Sequence, residues 1–239
     1  MTDLLYMDDC YLKECDAKVE EVLEGNKIVL DRTVFYPQGG GVPCDTGKIV
    51  RNGKGNAEEF AVTAVKKEEG KIVHYVDREG IQKGDSAHCL LDWERRYRFM
   101  QYHTAAHVLA GTLNTDTGAL ITGNQIELDK TRFDFSLENF DRPILEKQVE
   151  KANSCFGADV PISISYLPRE EALKIPGMVK LASVLPPDVA ILRIVKIGGI
   201  DTQADGGCHV RNLLEVPKIE IISMENKGKN NRRVYFKFV

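Results

Sequence analysis

Two histidines four residues apart, in His103-Thr-Ala-Ala-His107, are the sharpest chemical signal in the sequence. On a helix this spacing puts both imidazoles on one face, where they can converge on a single metal ion. The small Thr104, Ala105 and Ala106 between them permit close packing around such a site. The same spacing fits two ordinary helical histidines. The segment also lacks the glutamate of HExxH, which removes the general base a zinc protease of that type requires. A second signal is Thr202-Gln-Ala-Asp205-Gly-Gly-Cys208-His209-Val-Arg-Asn212. Its Gly-Gly pair lets the backbone turn tightly and approach a ligand, and three possible zinc ligands flank it: Asp205, Cys208 and His209. Alone it is a glycine turn with a histidine beside it. Set beside HTAAH, it supplies three or four ligands from distant parts of the chain, as a catalytic zinc with one open position needs. The third signal is Phe35-Tyr-Pro-Gln-Gly39-Gly40-Gly41-Val-Pro-Cys-Asp45-Thr-Gly47. Three consecutive glycines in a β-rich segment make either a wide loop between strands or a backbone that can approach a phosphate or ribose.

These residues need elements to hold them. Residues 1–91 read as short strands of alternating polarity, separated by turn signals at Gly25-Asn26, Asn52-Gly53, Glu69-Gly70 and Gly80, which suggests a small antiparallel barrel or sandwich. The pattern changes at Asp92, a helix N-cap. From there WERRYRFMQYHTAAHVLAGTL runs without glycine or proline until Gly111, and this is the helix that carries both histidines. A second helix is expected over RPILEKQVEKANSCFG, opened by Pro143 and ended by Gly157, and a short third over PREEALKI, stopped at Pro176-Gly177. Strands are expected in ALITGNQIEL, KTRFDFS, ADVPISISYL, AILRIVKI and KIEIISMEN, with ALITG and RFDF paired as a hairpin. The division is therefore an all-β domain, 1–91, and an α+β domain, 92–239.

Composition bounds the function. The 239 residues are long enough for one large or two small domains. No apolar run approaches the ~20 residues that cross a bilayer. The acidic start lacks the basic and apolar regions of a signal peptide, so a cytoplasmic protein without a membrane partner is expected. Six scattered cysteines without CxxC spacing read as reduced thiols. Thirty-two basic against 36 acidic residues give a net charge of −4, which taken globally argues against a nucleic-acid partner. The average hides a division, however: acids crowd the first twenty-four residues, while bases gather elsewhere. Arg95, Arg96 and Arg98 stand beside Trp93 and Tyr97, and Lys227, Lys229, Arg232, Arg233 and Lys237 follow the last acid, Glu225. Each run is either a solvated face or part of a nucleic-acid-binding surface.

Together, FYPQGGGVPCDTG, HTAAHVLAG, RFDFS, DTQADGGCHVRN and ENKGKNNRR make the chain resemble, over nearly its whole length, the free-standing alanyl-tRNA editing proteins (AlaX, medium type). These are relatives of the editing domain of alanyl-tRNA synthetase. The resemblance implies an α+β protein: a translation-factor-like β-barrel, then an editing domain like that of alanyl- and threonyl-tRNA synthetases. It implies trans-acting hydrolysis of serine, with glycine as a second candidate, from mischarged alanine tRNA, and one zinc ion held by His103, His107 and His209. Where the family commonly has Cys-Gly-Gly-Thr-His, this chain has Asp205-Gly-Gly-Cys208-His209. Asp205 is therefore expected as a weaker fourth contact or a water-holder, and Cys208 as a lesser candidate, because adjacent side chains of extended backbone diverge. The zinc would activate a water or orient the ester. Gly39, Gly40, Gly41, Thr122, Gln125, Asp134, Arg211 and Asn212 are candidates for the substrate pocket and terminal adenosine, although Thr122, Gln125 and Asp134 also read as polar strand-surface residues. No ATP-binding motif is present, which argues against aminoacylation. Two other classes compete with the editing hydrolase: a structural-zinc RNA-binding module without catalysis, and a metal-dependent hydrolase of small esters.

Overall fold

The structure, a computed structural model, describes residues 2–52, 57–137, 142–175, 177–178 and 188–239. The chain divides into two compact units, Met1–Arg98 and Phe99–Val239. Among the described residues no helix is long and apolar enough to cross a membrane.

The first unit is a closed antiparallel barrel. Its strands are β1 (Asp3–Leu4), β2 (Glu14–Leu23), β3 (Lys27–Leu30), β4 (Arg32–Thr33), β5 (Gly47–Asn52), β6 (Ala57–Glu68), β7 (Lys71–Val76) and β8 (Ser86–Leu91). β1 and β4 form a small parallel pair, and the other six close in the order β2-β3-β7-β6-β5-β8. Closure depends on the two longest strands. β2 pairs with β8 through its first half and with β3 through its second, its ladder shifting between Val19 and Glu21. β6 does the same with β5 and β7, shifting between Val62 and Ala64. Such bulges bend a strand and raise its twist, which lets one strand serve two walls. The alternating apolar residues fill the interior: Val19, Ile28, Leu30, Ile49, Phe60, Val62 and Val65 are all at most 2% exposed. Each such side chain contributes roughly 1.5–3 kcal/mol relative to remaining in water. The Gly25-Asn26 and Glu69-Gly70 signals fall in the β2–β3 and β6–β7 turns, whereas the Asn52-Gly53 turn lies outside the described residues.

The three-glycine motif makes a tight hairpin turn rather than a wide loop. Gly39 and Val42 exchange both backbone hydrogen bonds, at 3.1 and 2.9 Å. Gly40 and Gly41 between them have φ of 59° and 81°, a left-handed pair that β-carbons disfavour. Further along, Asp45 anchors the motif, and its partner corrects one expectation. Arg96 is not a surface charge: it is 1% exposed. Its Nε donates to both Asp45 oxygens at 3.0 Å, Nη1 to the Cys10 carbonyl at 3.0 Å and Nη2 to the Val34 carbonyl at 2.6 Å. Asp45 also accepts the Tyr36 amide at 2.6 Å. One guanidinium thus ties the N-terminal segment, the end of β4 and the glycine-rich segment together.

The helix α1 (Trp93–Thr117) begins in the first unit and ends in the second. Asp92 caps it, accepting from the Arg95 amide at 3.2 Å. The helix does not stop near Gly111; it runs on to Gly118, whose φ of 71° and bond to the Asn114 carbonyl at 2.8 Å close it. Every residue from 102 to 113 is buried, so this is a central helix without a solvent stripe. Gly111 lies inside it because a β-carbon there would meet the Ile200 carbonyl oxygen at 2.5 Å.

The second unit adds β9 (Ile121–Ile126), β10 (Thr131–Phe135), α2 (Arg142–Cys155), β11 (Ile162–Pro168), α3 (Arg169–Ala172), β12 (Ile191–Ile197), β13 (Asp201–Ala204), β14 (Ile219–Asn226) and β15 (Arg232–Phe238). These form two antiparallel sheets, β14-β15-β10-β9 and β11-β12-β13. The expected β9–β10 hairpin is present, with Gly123 opposite Asp134. Tyr102 of α1 stacks on Phe238 with centroids 4.0 Å apart. The third expected helix shrinks to the single turn α3, and its stop at Pro176 lies outside the described residues. The C-terminal basic stretch, instead of a tail, contains β15, which pairs on both sides.

Breaking the Arg96–Asp45 pair from either side leaves a buried charge without its partner. Asp45→Ala and Arg96→Ala should each lower stability by about 3–5 kcal/mol, and the double variant should cost less than their sum. Chemical denaturation of the three variants checks this; additive effects would show that the pair does not act as a unit.

Candidate metal centre

Four side chains converge within the second unit: His103 and His107 on α1, and Asp205 and His209 on the loop that follows β13. One donor atom from each lies within 4.8 Å of all the others. The helix period presents the two histidines together. Their rings and that of His209 form a compact trio, with centroids 4.8, 4.3 and 4.7 Å apart. His103 is 4% exposed and His209 3%.

Each imidazole spends its Nδ1 on an outer partner. His103 Nδ1 is 3.3 Å from the Cys208 carbonyl, His107 Nδ1 is 2.8 Å from Asp201 Oδ2, and His209 Nδ1 is 3.0 Å from Thr104 Oγ1. If each Nδ1 carries the proton, all three bonds are satisfied and Nε2 is left as the basic nitrogen of every ring. On the inner side, His103 Nε2 is 3.8 Å from Asp205 Oδ1, and His209 Nε2 is 3.1 Å from Asp205 Oδ2.

The loop is braced so that these contacts hold. Asp205 Oδ2 accepts the Gly207 amide at 2.8 Å. Arg193, 5% exposed on β12, donates to the carbonyls of Asp205 and Gly207 at 2.8 and 3.0 Å. Gly207 has to be glycine, since a β-carbon there would come within 2.4 Å of His103 Cε1.

Electrostatics follow from burial. Desolvation pushes His209 down to about 4, opposed by its bond to Asp205, and pushes His103 well below its ordinary value, with His209 adding to the effect. Both rings are therefore neutral at pH 7. Burial alone would raise Asp205, but the neighbouring imidazoles of His103 and His209 outweigh it and hold the carboxyl well below its usual range. Three imidazoles and one carboxylate are a donor set suited to a divalent transition metal, zinc included.

The remaining candidates are placed as follows. Cys208 is buried but outside the converging group, and contributes only its carbonyl. Thr122 and Gln125 are exposed on β9, bonded to Asn231 at 2.7 Å and Glu127 at 3.3 Å. Asp134 is buried in a bidentate pair with Arg233, at 2.7 and 2.8 Å. Asn212 caps the 3-10 turn Leu213–Glu215 and donates to Asp159 at 2.7 Å, and Arg211 beside it is exposed. Gly39, Gly40 and Gly41 belong to the barrel unit. Arg232 is not a surface charge either: it is 3% exposed, and its Nη1 holds Asn226 at 2.9 Å and the Asn231 carbonyl at 3.0 Å in the β14–β15 turn. Lys227 and Lys229 are exposed, and Arg95 and Arg98 half-buried.

Thr104, Asp201 and Arg193 serve the site without having stood out in the sequence. For Asp201 a signal existed: Asp201, Gln203 and Asp205 alternate, as one face of a strand does.

Residues 8–95 match the family model described as tRNA synthetases class II (A), and residues 192–235 match the threonyl and alanyl tRNA synthetase second additional domain. The chain is 45% identical over 244 residues to the alanyl-tRNA editing protein AlaX-M of Methanosarcina barkeri, covering all of both chains. It is 46% identical over 238 residues to AlaX-M of Saccharolobus solfataricus, covering 99% of this chain and 98% of the relative. With the larger AlaX-L of Pyrococcus horikoshii it shares 35% identity over 99% of its own length and 58% of that protein's. Matches of this identity across the entire chain place it in a family: it belongs to the alanyl-tRNA editing proteins of the AlaX-M type.

Proposed function

We propose that the protein is a zinc-dependent deacylase that removes serine, and glycine as a second substrate, from mischarged alanine tRNA in the cytoplasm, without ATP. The observation that carries this reading is the convergence of His103, His107, Asp205 and His209 in a chain related along its whole length to alanyl-tRNA editing proteins. Their three inward imidazole nitrogens and the Asp205 carboxylate would hold the ion. When bound, zinc supplies Lewis-acid polarisation of an ester carbonyl or an activated water.

The chain's own residues do the rest. Burial keeps His103 and His209 neutral and thus able to bind. The Cys208 carbonyl, Asp201 and Thr104 fix the ring orientations, and Arg193 holds the glycine loop against them. Discrimination against alanine would come from polar groups that pair with a serine hydroxyl and are left unpaired when alanine enters. Thr122, Gln125 and Asp134 are the candidates, with Arg211 and Asn212 for the terminal adenosine or a phosphate and Gly39, Gly40 and Gly41 offering backbone to the acceptor end. Arg95, Arg98, Lys227, Lys229 and Arg233 would meet phosphates; Arg96 and Arg232 are buried and drop out.

That four donors converge, rather than three, favours a second reading: a closed structural zinc site in an RNA-binding module, which expects no turnover and unfolding on chelation.

Hydrolysis of Ser-tRNA(Ala), Gly-tRNA(Ala) and Ala-tRNA(Ala), with and without chelator, separates the readings. The deacylase reading expects serine release to fall by more than about 100-fold in His103→Ala, beyond the range for loss of an outer hydrogen-bond partner, with zinc content lost and Ala-tRNA(Ala) spared throughout. Full activity without metal would refute it. Neutralising Arg95, Arg98, Lys227 and Lys229 should flatten the salt dependence of tRNA binding by roughly 0.7–0.9 in log–log slope per lost contact, as filter binding would show. Protonation gives a third expectation. An unfolded histidine takes up a proton near 6.5, whereas folded His209 stays neutral down to about 4, so between those values the unfolded state binds more protons. The stability of the metal-free protein should therefore be fully present above pH 6.5. It should fall by up to about 1.4 kcal/mol per pH unit for this residue as pH drops toward 4. Urea midpoints at pH 7.5 and 5 test this, and equal midpoints would contradict a buried neutral imidazole.

A further inference from the structure

Behind the four converging donors lies a second carboxylate. The Asp201 side chain, at the start of β13, is completely buried. Leaving an ionised carboxylate in such a place costs several kcal/mol unless donors meet it. Donors do meet it, among them His107 Nδ1 at 2.8 Å and Gln203 Nε2 at 2.9 Å on the same oxygen. Its position depends on a close approach of backbones. Gly111 follows His107 by one helical turn, and a β-carbon at 111 would lie 2.5 Å from the Ile200 carbonyl oxygen and 3.3 Å from Asp201 Cβ. The missing side chain at 111 is what lets Asp201 reach the ring one turn earlier.

The three outer bonds are not equivalent. His103 and His209 face neutral oxygens, a carbonyl at 3.3 Å and a hydroxyl at 3.0 Å, while His107 alone faces a carboxylate, at the shortest distance of the three. A charged acceptor makes the stronger bond and raises the basicity of the ring's other nitrogen. It also selects one tautomer, because only Nδ1–H can donate to it. With Asp205, it places two carboxylates around the three imidazoles, a complement for a divalent cation.

We propose that Asp201 is a positioning residue for the metal centre: its carboxylate locks His107 as the Nδ1–H tautomer and commits Nε2 to the metal. The proposal rests on the metal-binding reading of the site. Asp201→Asn is the informative variant, since the amide keeps the shape but removes the charge and can donate to Nδ1, admitting the other tautomer. Zinc affinity would be measured by competition with a chromophoric chelator, on protein shown by circular dichroism and thermal melting to be folded. The His107 tautomer would be read from imidazole ¹⁵N shifts. Asp201→Asn should bind zinc about 10–100-fold more weakly than the unaltered protein, with His107 no longer held as Nδ1–H. Its deacylation should fall through kcat at saturating zinc, with KM for tRNA unchanged. Unaltered zinc affinity and an unaltered tautomer in the folded variant would overturn the proposal. If the unaltered protein itself takes up no zinc, the metal reading fails and the proposal with it. That failure is recognisable because the titration is then blank before any substitution is made.

Discussion

Three imidazoles and a carboxylate, buried within 4.8 Å of one another, form an arrangement that a folding chain avoids unless every proton has a destination. Were two of the rings protonated, their repulsion and desolvation would oppose folding. Were their Nδ1 atoms unpaired, each would carry the cost of a buried unsatisfied donor. The structure meets both conditions by surrounding the cluster with acceptors and keeping the rings neutral. Much else in the second unit follows from this. The helix is buried on every side between residues 102 and 113, because a solvent stripe along His103 and His107 would hydrate the site. Gly111 and Gly207 lack side chains where the helix meets the β13 end and where the loop meets His103. A buried arginine, Arg193, holds the loop by its carbonyls, a task that calls for several donors in a fixed fork.

The legible parts of this design are those written in short-range periodicity. Four-residue spacing in a segment without breakers gives the helix and its paired histidines. Alternation with turn residues gives most strands, and a glycine pair beside Asp205 and His209 marks the loop. What escapes notice depends on distant partners. Thr104 reads as a small spacer because the ring it serves, His209, lies 105 residues away. Arg193 reads as one of two charges in a mostly apolar strand, beside Lys196, and nothing local says that its guanidinium turns inward. The C-terminal stretch is obscured differently. Its charges suggest a tail, yet Arg232, Val234, Phe236 and Phe238 alternate as the buried face of β15, and one buried arginine in that series is enough to mask the strand.

The two arginines removed from the basic surface show why counting charges says little about partners. Arg96 and Arg232 each occupy a buried position in which the guanidinium binds several carbonyl or side-chain oxygens, and so organises segments rather than attracting an external anion. In the first case this explains the aspartate of the glycine-rich motif: Asp45 is present to receive Arg96. Gly47, two residues later, has a separate reason. A β-carbon there would lie 2.1 Å from the Leu90 carbonyl oxygen, so the backbone of β5 can reach β8 only without one. A motif that reads as a single ligand-binding loop is thus held by three different constraints: a left-handed turn, a buried ion pair and a close strand approach.

The same separation of tasks bears on Asp205, at the position where the family resemblance leads one to expect a cysteine. A thiolate is a good zinc ligand but a weak hydrogen-bond acceptor. A carboxylate has two oxygens and can divide its work. Here Oδ2 accepts the Gly207 amide at 2.8 Å and approaches His209 Nε2 at 3.1 Å, while Oδ1 faces His103 Nε2 at 3.8 Å. One side chain therefore braces the turn and joins the donor set at the same time. The neighbouring Cys208 thiol is left out because the loop directs the Cys208 carbonyl, rather than its sulfur, toward His103. The result is a site of nitrogen and oxygen donors alone, which favours divalent metals of intermediate hardness and removes a thiolate that oxidants would attack.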